Sequence, residues 1–160
     1  KIRMTQEPTR SPIAASDVKV GAYCILNKRP CKIVSVTHSK TGKHGHMKCV
    51  LVGLGVLEGK KEQIVPAGHQ KVMQFQLVKS EMLLLYINAE DNTLSCLDAS
   101  NHEATIAMTH IDDGVASSLL KSFADGKSPL IVVVKVPIHI KGDEYQEAER
   151  VESFKVAPSS

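Results

Sequence analysis

The residues whose types and spacing best suit a chemical role lie in one short segment, residues 39–48. Its sequence is SKTGKHGHMK. Gly42 and Gly45 flank the pair Lys43-His44. Glycine adopts a positive φ without steric cost, so the chain can turn tightly on both sides of Lys43. The segment contains no apolar residue before its methionine, so nothing apolar holds it against a core. The pattern predicts a polar loop that presents the amine of Lys43 at an exposed apex.

Imidazole and ammonium groups are concentrated around Lys43. They belong to His38, Lys40, His44, His46 and Lys48. Three histidines are enough to hold a metal ion, so a metal site is one alternative reading of the segment. The surrounding lysines disfavour it, because no carboxylate or thiolate other than Cys49 is close enough in the sequence to offset their charge.

A phosphate-binding loop is a second alternative, and it needs the pattern Gly-x4-Gly-Lys-Ser/Thr. Gly42-Lys43 is followed by His44, and Thr37 stands where the first glycine should be. A later Gly-Lys-Ser, at residues 126–128, has Lys121 in that position. Both matches fail, so nucleotide hydrolysis is not supported. An exposed hairpin loop without any chemistry is the third alternative.

Charge is divided unevenly along the chain, although the formal net charge is only +3. Residues 1–75 contain 13 Lys and Arg against 4 Asp and Glu, whereas residues 76–160 contain 7 against 13. No acidic residue lies between Asp17 and Glu58. A basic half beside an acidic half is typical of a molecule that faces a polyanion with one end. A solvated basic face without a partner is the alternative.

Short runs of β-prone residues, separated by turn residues, extend over most of the chain. The predicted strands are residues 23–26, 31–36, 48–57, 62–65, 75–78, 82–88, 93–97, 130–136 with an extension at 138–140, and 150–156. Gly53 and Gly55 indicate a bulge or bend in the third of these. One helix is predicted over residues 112–123, because two aspartates suit its N-terminus and Asp125-Gly126 ends it. This pattern is typical of small β-barrels.

Composition also bears on the location of the protein. The longest apolar runs, such as residues 82–87 and 130–134, are far shorter than the roughly 18 residues that cross a bilayer. The N-terminal residues lack the apolar stretch of a secretory signal. The four cysteines form no CxxC pair, which indicates free thiols in a reducing compartment. We therefore expect a cytoplasmic protein, with the nucleus as a second location.

The segment SKTGKHGHMK resembles the modification loop of the hypusine-containing eukaryotic translation initiation factor 5A family. Its flanks agree, since residues 28–34 are similar to the strand that enters the family's loop, and residues 51–53 and 59–61 to the strand and turn that follow. The resemblance is strong over residues 18–61, and Pro66-x-x-His69 resembles a weaker family feature. The second half is similar in its strand–helix–strand layout and hardly in its residues.

The resemblance implies a mainly β fold, in which an N-terminal SH3-like barrel is followed by a C-terminal OB-fold barrel with one short helix. Together with the change of charge, it indicates three segments. They are a flexible tail at residues 1–15, an SH3-like basic domain with the hypusine loop at residues 16–74, and an OB-fold acidic domain at residues 75–160.

The resemblance also implies a translation factor rather than an enzyme. The lysine matched by Lys43 receives an aminobutyl group from spermidine and is then hydroxylated, by deoxyhypusine synthase and deoxyhypusine hydroxylase. The modified factor binds the 80S ribosome near its E site. Its arm reaches the P-site tRNA and promotes peptide bond formation at slow sequences such as proline runs, and termination. No cofactor and no metal is implied, since hypusine is a covalent modification.

The residues expected to contact the ribosome or tRNA surround this lysine or lie on the strand before it. They are Lys32, Lys40, Thr41, Gly42, Lys43, His44, Gly45, His46 and Lys48. Two other functions stay open from the residues themselves. An RNA-binding adaptor would use the basic domain without hypusine, and a small metalloenzyme would use the histidine cluster. The sequence contains no evident nucleophile–base pair or matched carboxylate pair that supports catalysis.

Overall fold

A computed structural model describes residues 8–40 and 47–156 of the chain. The described chain divides into two compact units. The first contains residues 8–77 and 136–148, and the second contains residues 78–135 and 149–156. This division differs from the predicted boundary between residues 74 and 75, because Phe75 and Gln76 complete the last strand of the first sheet. It also differs in assigning part of the C-terminal half to the first unit.

The first unit is built on a six-stranded antiparallel sheet. Its strands are β1 (Thr9–Ala14), β2 (Tyr23–Leu26), β3 (Arg29–Lys40), β4 (Met47–Gly55), β5 (Lys61–Ile64) and β6 (Lys71–Gln76), in the order β1-β6-β2-β3-β4-β5. A short 3-10 helix, Ala15–Asp17, follows β1. Every residue of β1 pairs with β6. The sequence predicted a flexible tail at residues 1–15, whereas residues 9–14 form this strand and Ala15 begins the 3-10 helix. Residues 1–7 lie outside the described residues.

The turn between β2 and β3 shows how local sequence shapes the first unit. Asn27 and Lys28 form this two-residue turn, and their φ angles are 52° and 70°. Two positive φ angles match the right-handed twist of paired strands, and asparagine tolerates this conformation better than most residues. The resulting hairpin places Cys24 opposite Cys31, and both side chains are fully buried. The core around them contains Ala15, Val18, Leu26, Ile33, Cys49, Leu51 and Val72.

The second unit is built on a five-stranded sheet and a helix. Its elements are β7 (Val78–Asn88), β8 (Thr93–Leu97), β9 (Glu103–Ala107), α1 (Asp113–Ala124), β10 (Pro129–Lys141) and β11 (Glu144–Val156), and the strand order is β11-β10-β7-β8-β9. The Asp112 side chain caps α1 by accepting hydrogen bonds from the N–H groups of Gly114 and Val115, which have no partner within the helix. Leu119 of α1 is fully buried in a core with Leu94, Ile106 and Ile131.

Residues 136–148, which are the ends of β10 and β11 nearest their turn, belong to the first unit. Val136 is fully buried in a cluster with Ile25, Leu57 and Phe75. The backbone N–H of His139 donates a hydrogen bond to the carbonyl oxygen of Lys28 at 3.3 Å. The first unit is therefore completed by a hairpin that follows the second unit's helix in the sequence.

The prediction of a mainly β fold with one short helix is confirmed for the described residues. β2 and β8 have the predicted bounds, and α1 begins one residue later than predicted because Asp112 is its cap. β1 and β9 were not predicted. β11 begins at Glu144, six residues before its predicted start at Arg150.

Candidate functional site

The candidate site is the end of the β3–β4 hairpin. Strand pairing continues to Lys40 opposite Met47, and the six residues Thr41, Gly42, Lys43, His44, Gly45 and His46 connect the two strands. These six lie outside the described residues. The expected apex position of Lys43 and the expected contacts of its five neighbours therefore stay predictions.

The strands of this hairpin, called the stem below, are longer than the sequence indicated. The predicted strand ended at residue 36, whereas β3 continues to Lys40. His38 pairs with Cys49 and Ser39 pairs with Lys48. The stem thus carries regular backbone pairing up to the connecting residues.

A β-bulge in β3 decides which side chains of the stem lie on the core-facing side of the sheet. The register shifts between Ile33, opposite Gly53, and Ser35, opposite Val52, so Val34 is an additional residue in β3. The sequence indicated a bulge or bend at Gly53 and Gly55 of β4. The bulge lies instead in β3, next to the residue that pairs with Gly53. Because side chains alternate along a strand, one extra residue exchanges the two faces. Ile33 and Val36 therefore both face the core.

Two of the predicted cationic residues lie together at the end of the stem. Lys40 and Lys48 belong to neighbouring strand pairs, so their side chains extend from opposite faces of the hairpin. Both are exposed, and neither forms an ion pair with any residue in the described part of the chain.

Lys32 does not join Lys40 and Lys48. It pairs with Leu54, which is six residues from Lys48 along β4 and therefore about 20 Å away at the usual rise of a strand. The bulge also places Lys32 and Lys40 on opposite faces. The predicted set of contact residues thus divides into a pair at the stem end and a separate lysine near the other end of β4.

A turn formed by residues 66–70, called the bracing turn below, holds the end of β4. The N–H of Cys49 donates to the carbonyl oxygen of Pro66 at 2.9 Å. The N–H of Gly68 donates to the carbonyl oxygen of Met47 at 2.8 Å. Lys48 and Ala67 form an isolated β-bridge. The first residues after the six connecting ones are therefore hydrogen-bonded on both sides, to β3 and to this turn.

The bracing turn is itself fixed by its own glutamine and by the 3-10 helix. The N–H of Ala67 donates to Oε1 of Gln70 at 2.7 Å. The N–H groups of Ala15 and Ser16 donate to the carbonyl oxygens of Gln70 and Gly68 at 2.8 and 3.0 Å. The sequence showed Pro66-x-x-His69 as a weak motif and did not indicate that it supports the stem. The Pro-Ala-Gly run directly after β5 was the available signal of a turn.

The acid-free window of the sequence is partly neutralised in three dimensions. Glu58, the first acidic residue after the window, lies with its carboxylate 3.0 Å from the guanidinium of Arg29. Glu62 is 3.9 Å from the same group and also accepts a hydrogen bond from the side chain of Asn27. Arg29 is therefore paired beside the turn of the β2–β3 hairpin, whereas Lys40 and Lys48 at the stem end have no ion-pair partner among the described residues.

The metal alternative involved His38 and Cys49 in the described part of the chain. The two residues are strand partners, but the thiol of Cys49 is fully buried and burial raises its pKa, which disfavours the thiolate that binds metals. Within residues 8–40 and 47–156, no three His, Cys, Asp or Glu side chains are grouped closely enough to hold a metal ion. Among the same residues, no helix has the length and apolar character needed to cross a membrane.

Solved structures of other proteins show the same fold. The chain is similar to the translation initiation factor 5A family protein of Naegleria fowleri, with a TM-score of 0.76 and 23% identity over 91% of this chain and 98% of that one. It is also similar to the translation initiation factor 5A of Methanococcus jannaschii, with a TM-score of 0.60 and 20% identity over 97% and 98%. The predicted arrangement of an SH3-like unit and an OB-fold unit is thereby confirmed.

Sequence relatives define the family. The model of the N-terminal domain of translation initiation factor 5A-like proteins matches residues 9–69, which include the whole stem and the bracing turn up to His69. The chain is 34% identical over 124 residues to translation initiation factor 5A-2 of Medicago sativa, covering 77% of each chain. It is equally similar to factor 5A-4 of Solanum tuberosum. The chain therefore belongs to the eukaryotic translation initiation factor 5A family.

Proposed function

We propose that the protein is a cytoplasmic, ribosome-binding translation factor that carries hypusine at Lys43. The observation that carries this proposal is the position of Lys43 as the third of six residues joining Lys40 to Met47, in a stem that is paired up to those two residues. Family membership supports the same assignment. The factor binds the 80S ribosome near its E site, after deoxyhypusine synthase and deoxyhypusine hydroxylase have modified Lys43.

The chemistry of the arm suits a path between RNA strands. Extension of Lys43 by an aminobutyl group gives a slender chain with two cationic nitrogens and a hydroxyl group. Such a chain neutralises phosphates without reading bases, because phosphate contacts carry no sequence information. The arm orients the acceptor end of the P-site tRNA, and ribosomal RNA catalyses bond formation. Correct orientation lowers the barrier by removing the entropy cost of alignment.

The described part of the stem provides the support that such an arm needs. The six connecting residues begin and end at paired strand residues, Lys40 and Met47, and the bracing turn additionally bonds Met47 and Cys49. This support favours a defined position for the base of the arm. Lys40 and Lys48 add exposed positive charge without acidic partners among the described residues. Both features favour contact with a polyanion at this end of the first unit.

The proposal is tested by Lys43→Arg in cells that depend on this protein. Arginine keeps one positive charge but cannot accept the aminobutyl group at an ε-amine. We expect translation of a polyproline reporter to fall to the level of cells without the factor, while a reporter free of proline runs changes little. Mass spectrometry of the peptide across Lys43 in native protein should show the extended lysine in the wild type.

Lys61→Arg is a matched control, because Lys61 is an exposed lysine of β5 on the same sheet and outside the stem. It should leave the reporter and the modification at wild-type levels. Thermal unfolding should give the same midpoint for both variants and the wild type. Wild-type polyproline translation in the Lys43→Arg cells would disprove the role of the arm.

A further inference from the structure

A cavity of about 400 Å³ lies within the first unit, and most of its lining residues have no part in the proposed function. Apolar side chains form most of its wall, namely Pro12, Ile25, Ile64, Pro66, Val72 and Met73. The volume is in the lower part of the range of small-molecule sites, which are mostly apolar with a few converging polar groups.

The polar groups at this cavity are predominantly basic. Lys28 and Lys71 line it together with Gln70, His139 and Tyr145, and no aspartate or glutamate is among the described residues that line it. Neither lysine forms an ion pair with another described residue. Lys28 and His139 are held together, because the backbone N–H of His139 donates to the carbonyl oxygen of Lys28. The wall thus has two cations without counter-charges beside an apolar surface.

One part of the cavity wall consists of the stacked rings of His139 and Tyr145, and Arg10 lies against the second ring without lining the cavity. The imidazole of His139 lies 4.8 Å from the ring of Tyr145, measured between ring centres. The guanidinium of Arg10 lies 3.9 Å from the centre of the same ring. Nε2 of His139 donates to the carbonyl oxygen of Gly142 at 2.8 Å, which fixes the imidazole at the end of the hairpin. Planar walls of this kind favour a planar ligand.

A larger cavity, of about 1140 Å³, lies within the second unit, and its lining contains as many acidic residues as lysines. Two of its lysines have acidic partners. Nζ of Lys79 is 3.0 Å from the carboxylate of Glu152, and Lys155 is paired with Glu81. Paired charges are already satisfied, so this cavity offers no comparable attraction for an anion.

We propose that the smaller cavity binds a small organic anion. A flat apolar body lies against Ile64, Met73 and the Tyr145–His139 stack, and a carboxylate, sulfonate or phosphate group binds Lys28 and Lys71. Pro66 and Gln70 line the cavity and belong to the bracing turn, so an occupant contacts the turn that supports the stem.

The test uses the full chain with labelled isoleucine and methionine methyl groups and two matched probes. The first probe is 8-anilinonaphthalene-1-sulfonate, and the second is the neutral N-phenyl-1-naphthylamine, which lacks the sulfonate. We expect saturable shifts of the Ile64 and Met73 methyl signals, with tighter binding of the anionic probe. Lys28→Gln and Lys71→Gln should each weaken binding of the anionic probe about two- to fivefold, which is the range for an exposed charge pair. Binding of the neutral probe should not change.

Lys61→Gln is the control, since this exposed lysine of the same sheet does not line the cavity. It should leave the affinity of both probes unchanged. Equal affinity for the two probes would overturn the proposal. So would shifts of the Met82 and Ile106 methyl signals, which report the larger cavity, in place of those of Ile64 and Met73.

Discussion

At the scale of single residues, Gly53 has the least space for a side chain among the glycines of the described strands. A Cβ atom at this position would lie 2.8 Å from Cβ of Cys31 and 3.1 Å from the carbonyl oxygen of Lys32. Both contacts involve atoms that cannot move without displacing β3. We expect Gly53→Ala to lower the free energy of unfolding by about 1–3 kcal/mol, as overpacking of a core usually does. Urea denaturation measures this change.

Gly55→Ala is the matched control for this prediction. It lies two residues away on the same strand, and its nearest neighbour to an added Cβ is the carbonyl oxygen of Lys60 at 3.5 Å. That is an ordinary van der Waals distance. We therefore expect Gly55→Ala to lower the free energy of unfolding much less than Gly53→Ala does. Equal stability of the two variants would contradict the close approach of β4 to Cys31.

The buried thiols in the core of the first unit make the free energy of unfolding depend on pH in the alkaline range. Burial raises the pKa of Cys24 and of Cys31 from 9.0 to about 11, and for Cys24 the neighbouring Cys31 adds to the shift. Between pH 9 and pH 11, the thiols of the unfolded chain therefore lose protons that the thiols of the folded chain keep. The folded state then binds more protons, so the free energy of unfolding falls as pH rises from 9 to 11.

A comparison of two pH series isolates this effect from other groups that titrate in alkali. Alanine has no ionisable side chain, so we expect the free energy of unfolding of Cys24→Ala to fall less steeply between pH 9 and 11 than that of the wild type. Guanidinium denaturation at several pH values gives both slopes. Identical slopes would show that the Cys24 thiol does not contribute.

At the scale of structural elements, the strands that the sequence concealed have physical reasons for their unusual composition. β1 contains Pro12 and mostly exposed residues, which an edge strand with a single neighbour, β6, tolerates. β10, by contrast, was predicted with its extension beyond Pro137, and it accommodates this proline because its pairing with β7 ends at Lys135. A proline beyond that residue removes no hydrogen bond to β7. Alternation and turn residues identify strands with two neighbours more easily than the two missed strands, β1 and β9, which each have a single neighbour.

The bracing turn leads to a prediction about the stem. Gln70→Ala removes the side-chain acceptor of the Ala67 N–H and leaves the backbone bonds of the turn in place. We expect a loss of about 1 kcal/mol, the usual contribution of one hydrogen bond. Because the loss is local, hydrogen exchange of the Cys49 and Gly68 amides should become faster than in the wild type. Amide exchange rates measured by NMR on the Gln70→Ala variant and on the wild type test this prediction.

Gln63→Ala serves as the control. Gln63 is an exposed glutamine on β5, and its side chain forms no hydrogen bond with any described residue. It should leave the same two amides unchanged. If Gln70→Ala also left them unchanged, the turn would not stabilise the end of β4. With the expected faster exchange in Gln70→Ala, polyproline translation measured for both variants shows whether stem rigidity matters for the proposed function.

The sequence predicts the chemistry of the candidate site and gives little indication of the segments that support it. The glycines and cations of residues 39–48 identified the segment, and the family match includes it. Lys32 was grouped with the loop because it is close in sequence and basic. The bulge at Val34 and the length of β4 separate it from Lys48, and neither follows from local residue preferences. Contacts between distant segments, such as Pro66 with Cys49, likewise depend on the assembled sheet.

At the scale of the whole molecule, the division of charge between the two halves of the sequence has a structural counterpart. Residues 1–75 carry a formal charge of +9 and residues 76–160 one of −6. Lys79 and Lys155 of the acidic half are paired with glutamates, whereas Lys40 and Lys48 have no ion-pair partner in the described ranges. Positive charge at the stem is therefore available to an external polyanion.

This difference predicts how ribosome binding responds to salt. If Lys40 and Lys48 contact phosphates, binding releases counterions, and the logarithm of the association constant falls linearly with the logarithm of salt concentration. Lys48→Gln should weaken binding at low salt and reduce the slope by about one unit. Lys79→Gln changes the net charge equally but removes a lysine that is already paired, so it should leave the slope unchanged. A slope that both variants alter equally would show that net charge, rather than the stem, determines binding.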